Sequence, residues 1–100
     1  MKWHGDYHAS QVWLETSFGG FRIRLSSWGP HAEVGRGRHS ELKSWTIEFL
    51  TGDNLIAYGS TWAEVEKDIT DDEAKEMALD IVDRWLTSTQ RSLRAARGLL

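Results

Sequence analysis

Two short stretches of this sequence carry residues whose types and spacing suit chemistry. The first is His4, Asp6 and His8, alternate positions that would share one side of an extended strand. Two imidazoles and a carboxylate suit zinc or a similar ion, and an open coordination position there would be catalytic. No fourth ligand is signalled and first residues are commonly mobile, so residues 1–11 are read as a solvated terminus with no metal site. The second stretch is Gly35-Arg36-Gly37-Arg38-His39. Its glycines let backbone amides turn inward as an anion nest, and its arginines supply forked donors for a phosphate or a carboxylate. His39 beside Arg38 is the group best placed to titrate there. The spacing matches no P-loop, and no nucleophile–base pair stands at a diagnostic distance in the chain. No catalytic residue and no cofactor are assigned.

The elements that must position these residues begin with a hairpin over Val12 to Leu25. Gly19-Gly20 accepts the positive φ angles of a two-residue turn. That register opposes Phe18 to Phe21, Thr16 to Ile23 and Leu14 to Leu25 on an apolar face. The other face pairs Ser17 with Arg22 and Glu15 with Arg24, opposite charges across strands. Trp13 falls on this polar face, within cation–π reach of Arg24. The connection over 26–43 follows, holding Trp28, the single proline and the glycine–arginine loop. A connection of that length without periodicity is functional, disordered or holds a short element, and the plain alternative here is a mobile, solvated glycine–arginine loop between hairpins.

Ser44 to Ser60 makes a second hairpin around Thr51-Gly52-Asp53-Asn54. Pairing Leu50 with Leu55 sets Phe49 against Ile56, Ile47 against Tyr58 and Trp45 against Ser60. Thr61-Trp62-Ala63-Glu64 reads as a capping box opening a short helix, with Trp62, Val65 and Ile69 inward. Thr70-Asp71-Asp72-Glu73 is a stronger capping box and opens a helix over 70–98, acidic in its first turn and basic in its last. Gly98 is placed for a left-handed cap with Leu99 folding back. Two hairpins followed by a helix predict one α+β domain over 1–100. It is a two-layer sandwich in which the long helix covers one face of an antiparallel sheet. The expected core is Leu14, Phe18, Phe21, Ile23, Leu25, Trp45, Ile47, Phe49, Ile56, Tyr58, Trp62, Ala78, Ile81, Val82 and Trp85.

Composition bounds the function. The chain has 100 residues, 40% hydrophobic and 27% charged, as a soluble globular domain does. It has no cysteine, hence no disulfide framework and no thiolate chemistry, which fits a reducing cytoplasm. No apolar run is long enough to span a membrane. A net charge of −3 argues against a generic nucleic-acid binder, although the basic residues are clustered. Six tryptophans are many for this length and are expected mostly in the core. The order of sheet and helix resembles double-stranded-RNA readers in architecture, but those begin with a helix, for which residues 1–11 give little support. A short, tryptophan-rich, cysteine-free chain without a motif also resembles, in type, the accessory proteins of bacteria and their phages.

The reading is therefore a non-enzymatic interaction module that binds itself or another protein. Its candidate binding residues are Trp13, Arg22, Arg24, Trp28, Arg36, Arg38 and His39. A homodimer is expected through Arg91, Leu93, Arg94 and Arg97, because a helix of roughly 40 Å must overhang strands of roughly 23 Å. The alternative is a nucleic-acid or phosphate binder using the Gly35–His39 loop. That alternative makes one prediction. Changing Arg36 and Arg38 to Ala should abolish retention on a phosphate-bearing resin while shifting stability by no more than about 0.5 kcal/mol. Unchanged retention removes these arginines from any anion site.

Overall fold

The computed structural model describes residues 1–7, 11–28 and 42–99. Five strands follow one another: β1 (His4–Tyr7), β2 (Gln11–Phe18), β3 (Phe21–Trp28), β4 (Thr46–Thr51) and β5 (Asn54–Ser60). They form one antiparallel sheet in the order β1-β2-β3-β4-β5, each strand beside its neighbour in sequence. A short helix α1 (Thr61–Glu64) and a long helix α2 (Asp71–Gly98) complete the α+β sandwich. The N-terminal stretch contributes β1, which pairs with β2 by setting His4 against Glu15 and Asp6 against Trp13. Among the described residues, no helix is long and apolar enough to cross a membrane.

The first hairpin has the register its alternation predicts from Leu14 against Leu25 to Phe18 against Phe21; it also runs on to Gln11 against Trp28, which takes Ser26–Trp28 out of the expected connection and into β3. Gly19 and Gly20 make the turn with φ of +52° and +83°, values that strain residues with side chains. Val12, Leu14, Ile23, Leu25, Ile47 and Phe49 line the covered face and are buried beneath Ala74, Ala78, Ile81 and Val82 of α2. Phe18, Phe21 and Phe49 cluster at the turn end, with ring centroids 5.3–6.3 Å apart.

The second hairpin departs from the expected register. Leu50 does face Leu55, but the next pair is Phe49 with Ala57, so Ile56 is an extra residue in a β-bulge. Beyond it Ile47 meets Gly59 and Glu48 meets Tyr58. Two core assignments are corrected: Ile56, the extra residue, is 49% exposed at the margin of the helix side, and beyond the bulge the one-residue shift turns Tyr58 to the other face, 73% exposed. The residues turned toward α2 are instead Ala57 and Gly59. Their smallness admits Trp85, whose ring lies 3.2 Å from where a Cβ on Gly59 would stand.

Four further corrections concern the short helix, the tryptophans and the end of α2. Ser60, not Thr61, caps α1, its side chain accepting from the Trp62 amide. Thr61 is buried, where its hydroxyl accepts from the Trp45 amide at 3.0 Å and its own amide donates to the Trp45 carbonyl. With the helix starting one residue earlier, Trp62 turns outward, 48% exposed, while Val65 and Ile69 pack inward as expected. Only Trp45 of the six tryptophans is fully buried. At the far end, Gly98 is the last helical residue and has no positive φ; Leu99 caps α2 in the right-handed region, its amide reaching the Ala96 carbonyl.

The capping box at Thr70 is present in both directions: the Glu73 amide donates to the Thr70 hydroxyl at 3.2 Å, and the Thr70 amide donates to the Glu73 carboxylate. Those bonds hold the exposed Glu73 carboxyl below its usual range. Beside the cap, Asp71 and Lys43 are both buried, with Lys43 Nζ 3.9 Å from Asp71 Oδ1. The Tyr7 hydroxyl donates to Asp71 Oδ2 at 3.3 Å. Burial, and then the adjacent Asp71 charge, push the Tyr7 hydroxyl up from 10.0 to about 12.

Two predictions follow from this architecture. Trp45→Ala should cost about 3–5 kcal/mol in urea denaturation, and Trp85→Ala less, because its ring is only partly covered. Melting of Trp85→Ala at the parent temperature would mean that α2 is held by another face. For Tyr7 the folded state favours the neutral phenol, so its stabilising contribution is whole below pH 10 and lost as pH rises toward about 12. Tyr7→Phe should therefore destabilise the protein by about 1 kcal/mol at pH 8 and decline less steeply than the parent across that alkaline window. Parallel alkaline stability curves for the two proteins would contradict this assignment.

Candidate functional site

Alternation along five strands sends one set of side chains away from α2, and no described element lies against that set. Strand pairing lines up His4, Glu15, Arg24, Glu48 and Tyr58 as one row across the whole sheet. The neighbouring row is Asp6, Trp13, Ser26, Thr46 and Ser60. Arg24 bridges the rows: its guanidinium carbon lies 4.8 Å from the Trp13 ring centroid, the cation–π contact expected from the hairpin register. His4, Asp6, Trp13, Glu15 and Arg24 line a shallow groove of about 330 Å³.

The charges on this face are largely matched. Arg22 Nη1 donates to Glu15 at 3.0 Å and Nη2 to the Gly52 carbonyl at 2.8 Å, with Asp53 3.7 Å away. Arg24 Nε stands 3.8 Å from the other Glu15 oxygen, and Glu48 lies across from it on β4. A phosphate approaching Arg22 or Arg24 would first have to displace these carboxylates. Aromatic area is more available: Trp28, at the end of β3, is 65% exposed, and Tyr58 projects from β5.

The sequence-predicted site residues fall into three groups. Trp13, Arg22 and Arg24 are brought together on the open face, with Trp28 beyond them on the same strand as Arg24. Arg36, Arg38, His39 and His8 lie outside the described residues. Among the described residues no three potential ligands converge on a metal position. Arg91, Leu93, Arg94 and Arg97 form the third group, on the distal half of α2.

That distal half is the least covered part of the structure. From Leu86 to Gly98 every residue is exposed, although the helix continues without a break. Thr89 returns its hydroxyl to the Trp85 carbonyl at 2.9 Å, which carries the helix through its polar Thr87–Gln90 stretch. Below the point of departure, α2 and the turn end of the sheet enclose an apolar groove of about 460 Å³. Phe21, Phe49 and Ile56 form its sheet wall, and Trp85, Leu86 and Thr89 its helix wall. Sequence reasoning missed this groove. Leu86 is not among the expected core residues, and Ile56 reaches the wall only through a bulge that alternation does not encode. Comparison with protein-family models, with curated proteins and with solved structures returned no match for the chain.

Proposed function

We propose that the chain is a non-enzymatic interaction module that associates with itself through the distal half of α2. The observation that supports this is the exposed helix from Leu86 to Gly98, roughly 20 Å long at about 1.5 Å per residue. A helical extension of that length is marginal in water unless an amphipathic face is packed. Here the stripe that lies on the sheet through Ala78, Ile81 and Val82 runs on as Leu86, Thr89, Leu93 and Ala96, with Leu93 57% exposed. A second copy would cover it.

Charge sets the direction. The outer side of the proximal half carries Glu76, Asp80 and Asp83, and the distal half carries Arg91, Arg94 and Arg97. An antiparallel two-fold pair brings each basic end toward the other's acidic half, whereas a parallel pair stacks arginine on arginine. The open sheet face, with Trp13, Trp28 and Tyr58, stays free in such a pair for another protein. Arg22 and Arg24 already face Glu15, which leaves the nucleic-acid reading to Arg36, Arg38 and His39. The cysteine-free composition supports a cytoplasmic setting.

Light scattering on the full chain and on a truncation ending at Gln90 tests the proposal. The full chain should be a dimer and the truncation a monomer with its sheet intact by circular dichroism. A monomer in both cases overturns self-association.

A further inference from the structure

The groove under α2 is apolar, and among the described residues none that lines it is charged. A branched aliphatic side chain suits such a lining, and Leu93 and Leu99 of the same chain cannot supply it. Leu93 and Leu99 stand further along an unbroken helix that leads away from the groove, and nothing before Gly98 lets them fold back. We infer that the groove receives Leu93 of a second copy, in an antiparallel pair that sets Leu86 of each helix opposite Leu93 of the other. This deepens the self-association reading and rests on it.

The register follows from the residues available. With Leu86 opposite Leu93, the two-fold axis falls between Thr89 and Gln90, where small and polar side chains let the helices approach. Asp83 then comes opposite Ala96, next to Arg97, so a carboxylate and a guanidinium meet at each end of the overlap. Leu93 of each copy points past Thr89 into the space between Leu86 and the exposed Ile56 side of the other's groove. Two such sockets, added to a helix contact of roughly 20 Å, combine an apolar centre with an arginine rim. The bulge that turns Ile56 outward on β5 thereby gains a role.

The absence of cysteine makes the register directly testable. In a Leu86→Cys/Leu93→Cys variant the two positions are seven residues apart on one helix, roughly 10 Å, too far for a disulfide within a chain. Mild oxidation should therefore give a covalent dimer on a non-reducing gel, and Leu93→Cys alone should not. All substituted residues are exposed, so folding is retained and is checked by circular dichroism. Efficient cross-linking of Leu93→Cys alone would indicate a parallel pair and overturn the register. No covalent dimer, in a protein that light scattering still finds dimeric, would overturn the socket and leave self-association standing; a monomeric parent would remove both. Ile56→Asp gives an independent reading, since it places a charge in the socket wall without touching α2. It should weaken dimerisation about tenfold or more, and unchanged affinity would exclude the groove from the interface.

Discussion

A buried charge at the start of α2 decides where the helix can lie. Asp71 is the first helical residue and has lost its contact with water, so it needs Lys43 Nζ and the Tyr7 hydroxyl around it. Removing one member of such a group strands a charge in a dry site, which commonly costs about 3–5 kcal/mol. The three residues come from β1, from the lead into β4 and from the helix. Lys43 is fixed further by reciprocal backbone bonds with Ile69, each 2.9 Å. Together with the capping box these contacts pin the proximal end of α2 to one corner of the sheet. The overhang is the geometric remainder: a 28-residue helix that must begin there cannot also end over the strands.

The sheet end where α2 departs is shaped by small residues rather than large ones. Gly59 and Ala57 let Trp85 settle low on β5, and this close approach brings the helix down before it leaves. The groove exists because the apolar wall of Phe21, Phe49 and Ile56 continues past the last point of contact. Arg84, bonded to Glu64 at 3.1 Å, ties α1 against α2.

Where local rules acted alone, the sequence was sufficient. Alternation and a glycine pair set the first hairpin from Leu14–Leu25 to the turn, including the Trp13–Arg24 contact, but not its continuation through Ser26–Trp28; the Thr70 capping box set the start of α2. The second hairpin was legible only as far as its turn. A bulge leaves the polar–apolar alternation almost unchanged, since Ile56 and Tyr58 are plausible core residues in one register and surface residues in the other. Thr61 shows the same limit: its hydroxyl had a local capping role to play and was taken instead by the distant Trp45 backbone. Asp71 was legible as a dipole partner but not as a buried one, because Lys43 and Tyr7 meet it only through the fold. β1 alternates as a strand should, yet four residues carry too little pattern to separate a strand from a solvated terminus.

The bulge in β5 has one more consequence. β5 is an outer strand of the sheet, and a straight outer strand offers its unpaired amides and carbonyls as a template for any passing chain. An extra residue at Ile56 breaks that row midway and increases the local twist, and Gly59 interrupts the side-chain rank beyond it. The opposite outer strand, β1, is only four residues long. A sheet bounded in this way offers a poor template for edge-to-edge growth.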